Sequence, residues 1–269
     1  IIKLLRIENL DWNDLSDLTV RVTIDSDLAQ PWERPIARLA SFGTFNIESV
    51  PLVLDATILA HQAERAVAHL EVEVLAAGTR IGHVRHPIEV LAYNEWAGLA
   101  SLPENLAAFV MPNHPAIDRV LAAAVEHLRK ATGDPTLDGY QSHDAARVKS
   151  FIQAIYQALC DVGIAYVNPP ARFEMEGQKI RSPDQTLEHR MGACLDLSVL
   201  AAACFEQAGL HPLIVLVKDH AFVAGWTSDD SFPEPTVDDA LRLEKRIELG
   251  EIIAVEAVGV TTQPAIPFE

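Results

Sequence analysis

The run Gly192-Ala193-Cys194-Leu195-Asp196-Leu197 sets a cysteine just after a small-residue turn, at the first turn of an apolar helical stretch. A thiol there faces backbone N–H groups that lack intrahelical partners and carry partial positive charge. Its thiolate is favoured, and its pKa is expected to fall below the free value of about 8.5. The competing reading is a core cysteine, since free Cys is among the most buried residue types. Downstream, Asp219-His220-Ala221-Phe222-Val223 places a histidine at the start of an apolar strand, where it could meet Cys194 or serve as an ordinary core histidine. Farther on, Ile252-Ile253-Ala254-Val255-Glu256-Ala257-Val258 carries one carboxylate in an apolar strand. Such an acid is costly without a partner. Either its face is solvated, or Glu256 orients His220 by accepting the Nδ1–H bond, giving a Cys-His-Glu triad for nucleophilic catalysis.

Other chemistry-bearing residues fit less well. Asp196 sits in the first turn of the Cys194 helix, where it complements the dipole and slightly opposes a thiolate. Asp219, next to His220 on a strand, is expected to point to the opposite face. Cys160 and Cys204 fall within helical patterns and read as core. His83 and His86, three apart on a strand, face opposite sides and cannot share a metal. The chain has no HExxH, P-loop or dinucleotide-binding glycine pattern, so neither metal nor cofactor is expected.

The elements that would position the triad can be read from periodicity. Residues 18–24 alternate apolar with Thr and Arg, as a half-buried strand does, and so do 70–74 and 88–90, with weaker versions at 1–7 and 45–54. Residues 55–68 carry helix-forming residues and read as a crossover helix. Five or more short strands within about 90 residues point to an antiparallel sandwich, here taken as immunoglobulin-like. Beyond Tyr93, Ala, Leu and Glu become dense, and Pro103, Pro112 and Pro115 mark a boundary. Helices are expected at 115–131, at 144–162 and from Cys194 to Gln207. Short strands are expected at 213–217, 221–226 and 252–258. The expected domains are therefore 1–95, a β-sandwich, and 96–269, an α+β domain.

Composition narrows the function classes. The 269 residues are 49% apolar and 22% charged, enough for a sizeable core. Lys and Arg total 21 against 38 Asp and Glu, a net charge of −17 that repels phosphate backbones and anionic lipid, so direct nucleic-acid binding is not expected. The longest nearly apolar stretches, 197–205 and 212–217, fall far short of the roughly 18–20 residues of a membrane helix. Three cysteines with no CxxC pair suit a reducing, cytoplasmic compartment. The ends of the chain carry no signal peptide layout, and the chain reads as a piece of something longer.

The segment from Asp184 to Trp226 resembles the core of the transglutaminase-like superfamily, which shares its fold with papain-type cysteine peptidases. The resemblance rests on Leu187, Gly192-Ala193-Cys194, Asp196, the Ala-rich helix, Gly209-Leu210-His211-Pro212 and His220-Ala221-Phe222-Val223. It implies an α+β papain-like domain with Cys194 as nucleophile, His220 as base and acid, Glu256 as third member, and a protein or peptide substrate. More closely, Asn168-Pro169-Pro170 through Phe173, Gly177-Gln178-Lys179-Ile180-Arg181 and Cys194-Leu195-Asp196 resemble the N-terminal region of large bacterial helicase-related proteins of poorly defined function. That likeness extends to Pro31-Trp32-Glu33-Arg34 and Tyr93-Asn94-Glu95-Trp96, and it implies a helicase part farther along the same polypeptide.

Three positions depart from the superfamily pattern. Glu256 stands where Asp is usual. Residues 227–251, an acidic Pro-containing loop with a helix-forming segment at 237–249, lengthen the interval from His220 and are expected as an insertion over or beside the site. The papain-type oxyanion Gln, six residues before the cysteine, is Glu188 here, which leaves Gln178 or Gln185 with the Cys194 backbone N–H as candidate donors. Thiol-dependent amide hydrolysis or acyl transfer is the activity these features imply. A non-catalytic interaction or regulatory module of a larger helicase-related protein is the alternative.

Overall fold

The computed structural model describes residues 2–262, 264 and 266–268. It is a mixed α and β architecture of several small sheets and helices, and the chain divides into two compact units, 1–93 and 94–269. The first unit contains β1 (Leu5–Glu8), β2 (Leu15–Ile24), β3 (Trp32–Leu39), β4 (Thr44–Ile47), the short helix α1 (Ala56–Ala60), β5 (Ala66–Ala76) and β6 (Thr79–Val90). Four strands form an antiparallel sheet in the order β3-β2-β5-β6, while β1 and β4 pair as a separate ladder. Alternation along β2 buries Leu18, Val20, Val22 and Ile24, the first three of which share a core with Ile36, Ile7 and Ile47. The other face carries ion pairs, such as Arg21–Glu33 at 2.6 Å and Arg85–Glu71 at 3.3 Å. The helix expected over 55–68 is only five residues long. Asp55 caps it by accepting from the Thr57 and Ile58 N–H groups, and from Ala66 the chain is already strand. There β5 is paired with β6 along all 11 of its residues, and cross-strand pairing overrides the helix propensity of its Ala and Leu residues.

The second unit begins with β7 (Glu95–Trp96), followed by helices α2 (Pro115–Thr132) and α3 (Ala145–Val162). Pro115 opens α2, Asp144 caps α3, and Gly133 and Gly163 close them in left-handed conformations at φ 78° and 70°. Short elements come next: β8 (Ala165–Tyr166), α4 (Phe173–Glu176), β9 (Gln178–Lys179), α5 (Pro183–His189) and β10 (Met191–Gly192). Then α6 (Cys194–Gln207) runs through the interior, buried continuously from Cys194 to Phe205. An apolar helix of this kind must be enclosed on every side. Leu197, Leu200 and Phe205 pack in one core with Ile117 and Leu128 of α2 and Phe151 and Ile155 of α3.

The last elements, β11 (Pro212–Val217), β12 (His220–Trp226), α7 (Ala240–Glu248) and β13 (Ile252–Val255), include an antiparallel sheet in the order β11-β12-β13. The segment 227–251 does not lie beside His220. It links the end of β12 to the start of β13, with Thr227 N–H bonded to the Glu251 carbonyl at 2.9 Å. His220 stands at the opposite end of β12, six residues and thus about 20 Å away. Leu243 and Ile247 of α7 pack instead against Trp226 and Ile252. The last strand also ends earlier than expected, at Val255. Among the described residues, no helix is long and apolar enough to cross a membrane.

Candidate active site

The turn before α6 is held from both sides. Gly192 pairs in parallel with Tyr166 of β8, and the Val167 N–H donates to the Gly192 carbonyl at 3.0 Å. A Cβ on Gly192 would lie 3.3 Å from Leu197 Cδ2 and 3.4 Å from Asp196 Cβ, so the turn needs a residue this small. Asp196 has a fully buried side chain and three strong partners. Its Oδ2 accepts from Ala193 N–H at 2.8 Å and Arg181 Nη1 at 2.7 Å, and its Oδ1 from Arg181 N–H at 2.8 Å. The carboxylate thus caps the helix and neutralises its own burial through Arg181. It thereby fixes the first turn of α6, which begins at Cys194.

Cys194 itself has no solvent exposure and lies in a buried cluster with Trp96, Phe173, Ile180 and Ala221. Against that burial, the neighbouring backbone of Ala221, the Tyr166 side chain and the backbone of Leu195 act on the thiol. All three favour the thiolate. Burial outweighs them, and the charge of Asp196 adds to it, so the thiol is pushed above its ordinary value. This reverses the lowering expected from the helix terminus: the macrodipole supplies only about half a charge, less than enclosure removes in hydration. Tyr166 is held protonated too, up to about 12, by burial and by the neighbouring sulfur.

His220 follows the turn Lys218-Asp219 and opens β12 opposite Val217. Asp219 occupies that turn with φ 58° instead of lying on the strand. His220 Nε2 donates to Glu256 Oε2 at 2.7 Å. The carboxylate therefore engages Nε2 and not Nδ1 as expected, leaving Nδ1 as the nitrogen available to a thiol. Glu256 is not buried in the strand either. It stands one residue past β13 with its side chain 49% exposed, against 32% for His220. Its other oxygen, Oε1, accepts the Val258 N–H at 2.9 Å and caps the 3-10 turn Ala257–Thr261. Capping, in place of burial, holds the acid.

Of the three candidates, His220 and Glu256 are bonded to each other, while Cys194 shares a buried cluster with Ala221, the residue next to His220; among the described residues no hydrogen bond joins the Cys194 sulfur to the imidazole. No family model matches the chain, nor does any curated protein or solved structure. The chemistry rests on these contacts alone.

The remaining sequence candidates lie elsewhere in the unit. Gln185 accepts the Ser182 N–H at 3.2 Å as part of the α5 cap. Gln178 is buried on β9, paired with Trp96, and its Oε1 has no hydrogen-bond partner among the described residues. Burial pushes the Cys204 thiol up to about 12 and that of Cys160 to about 11. Among the described residues, no group of three or more His, Cys, Asp or Glu is placed to hold a metal ion. Two residues that matter here, Tyr166 and Arg181, carry no local signal of their part. Their positions come from a two-residue parallel pairing and a contact 15 residues away in sequence.

Proposed function

We propose that this chain is a thiol-dependent amide hydrolase or acyl transferase acting on protein or peptide, with an immunoglobulin-like sandwich at 1–93 followed in sequence by a transglutaminase-like unit at 94–269, as part of a larger helicase-related polypeptide. The observation that carries this reading is the His220–Glu256 bond of 2.7 Å, one residue from Ala221, which packs in the same buried cluster as Cys194. Burial favours the protonated thiol at rest. As the sulfur bonds to the amide carbon, the carbonyl π pair moves onto oxygen and the thiol proton passes to His220 Nδ1. Collapse of that intermediate breaks the C–N bond, and His220 gives its proton to the departing amine, leaving a thioester. Water or an amine then attacks the thioester, His220 takes the nucleophile's proton, and the thiol is released. Glu256 accepts the Nε2–H bond throughout and stabilises the transient imidazolium.

The test uses 4-nitrophenyl acetate, an acyl donor that places few demands on a binding site. A nitrophenolate burst stoichiometric with protein, lost in Cys194→Ala and at least about 10²-fold slower in His220→Ala and Glu256→Gln, supports the triad. A burst that survives Cys194→Ala overturns it. A second reading, a non-catalytic module that binds a partner protein, is favoured by the complete enclosure of Cys194. In that case folded protein shows no burst, and its Cys194 is alkylated only on unfolding.

A further inference from the structure

The end of the first unit where β2 gives way to the 3-10 turn Asp25–Asp27 carries two clefts that share one wall. The backbone there is pinned across two segments: Ala29 bridges Leu54, the Gln30 N–H donates to the Val53 carbonyl at 3.0 Å, and the Asp55 N–H donates to the Leu28 carbonyl at 2.9 Å. Leu54 thus stands on a fixed ridge and lines the cleft on either side of it. One cleft, of about 300 Å³, is walled chiefly by Ile24, Leu28, Leu59, Ile88 and Val90. The other, of about 430 Å³, holds Asp27, Gln30 and Asp55. Among the described residues, no Lys or Arg lines either cleft.

The ridge leaves apolar surface in water, since Val53 and Leu54 are 60% and 39% exposed beside an open apolar cleft. The charges around it are not balanced either. Glu89, at the rim of the apolar cleft, is paired with Arg65 at 3.6 Å. Asp27 and Asp55 meet no cation among the described residues, and Asp55 caps α1 through Oδ1 alone, accepting from the Thr57 and Ile58 N–H groups. An apolar opening at the lower end of the size range of ligand pockets, next to two uncompensated carboxylates, complements an apolar side chain with a cation close by. We propose that the clefts flanking Leu54 form a docking site for a segment of a partner protein in which Leu, Ile or Phe neighbours Lys or Arg. The apolar side chain enters the cleft beside Leu28 and Ile88 and covers the exposed face of Leu54, while the cation meets Asp27 and the second oxygen of Asp55. Burial supplies the affinity, and the carboxylates fix the register and the choice of partner. Other occupants are opposed by charge: an anionic headgroup is repelled by the same carboxylates, and a second copy of the chain brings a net charge of −17 toward another −17. Both clefts are lined by residues of the first unit, so the site does not depend on the thiol chemistry of the second.

The probe is a phage library of random peptides panned against the full chain, with the enriched peptides then synthesised, labelled with fluorescein and titrated by fluorescence anisotropy. The expected consensus places Lys or Arg within about two positions of an aliphatic or aromatic residue. Leu54→Ser and, separately, Asp27→Asn with Asp55→Asn are each expected to weaken binding about tenfold or more. Raising NaCl from ~50 to ~300 mM should weaken binding to the wild type more than to the paired Asn variant. That pair keeps the α1 cap, because Asn caps a helix as well as Asp does, and so it gives an answer even where Leu54→Ser fails to fold. Asp11→Asn with Asp17→Asn removes the same charge at the other end of β2 and should leave the affinity within about a factor of two. Failure to enrich any peptide, a consensus without a cation, or equal weakening by the Asp11 and Asp17 pair overturns the site. Sedimentation showing a dimer that Leu54→Ser dissociates gives the ridge to a second copy, and binding to phosphatidylcholine vesicles that Leu54→Ser abolishes gives it to lipid. Either result also overturns the peptide partner.

Discussion

In the proposed reaction Cys194 would act as a nucleophile from a site whose burial favours the protonated thiol, and this has a measurable signature. A thiol raised by burial is mostly neutral at pH 7, so its thiolate fraction grows tenfold per pH unit up to and beyond the ordinary value near 9. Alkylation of Cys194, followed by mass spectrometry of the labelled peptide, is expected to accelerate steadily between about pH 6 and 9. A plateau already reached near pH 5 would mean a preformed thiolate–imidazolium pair and would contradict the raised thiol. Asp196 offers a second prediction at this scale. Asp196→Ala removes three hydrogen bonds and leaves Arg181 without its buried partner. The expected cost is about 3 kcal/mol, read as a lower urea midpoint at constant slope, together with faster alkylation of Cys194 as the turn loosens and the sulfur becomes accessible. An unchanged midpoint would show that the pair contributes little net stability.

Among the elements, β12 divides the chemistry from its support. Its first residue bonds Glu256 and its last, Trp226, is covered by α7. Arg246 and Arg242 stack on Trp226 and Phe232 at 5.8 and 4.8 Å, so the helix is anchored by aromatic contact as well as by Leu243 and Ile247. Since these contacts lie at the far end of the strand, damaging them should cost stability without changing the site. Leu243→Ala with Ile247→Ala is expected to destabilise by about 1–2 kcal/mol each, because both are only partly buried. The Cys194 alkylation rate in folded protein should stay within a factor of two of wild type. A tenfold change would show that α7 communicates with the opposite end of the sheet.

For the whole molecule, alkaline pH is the condition that most exposes its design. Three thiols and the phenols of Tyr156 and Tyr166 hold their protons in the folded state to higher pH than in the unfolded chain, with Cys160 near 11 and Cys204 near 12. Above about pH 9 the unfolded state therefore binds fewer protons, and linkage makes stability fall as pH rises. The urea midpoint under reducing conditions is expected to be lower at about pH 9.5 than at about pH 7.5. The fall should persist in ~0.5 M salt, which screens the general repulsion of a chain with net charge −17 but not the thiol contribution. Equal midpoints would show that the buried thiols are relaxed by solvent. Because the chain divides at Tyr93–Asn94, residues 94–269 expressed alone should fold and keep the wild-type alkylation rate of Cys194. Aggregation of that fragment would mean that the two units fold as one.

Whatever depends on near neighbours was legible in the residue order. The alternation of β2, the capped helices α2 and α3, the apolar α6 opening at Cys194, and the succession of cysteine, histidine and acid all follow from local spacing. The stretch 55–68 misled for the same reason, since the strand state of 66–68 depends on partners a hairpin away. The tertiary structure alone decided the sign of the Cys194 shift. A helix terminus is a local field, whereas desolvation is the sum of Trp96, Phe173, Ile180 and Ala221 arriving from separate parts of the chain. It also decided which imidazole nitrogen meets Glu256, because that depends on where the chain leaves β13 and caps the next turn. And it alone brought Tyr166 to this site. Two residues paired in parallel with Met191-Gly192 leave no periodicity to read, yet their register sets Tyr166 beside the turn that leads into Cys194.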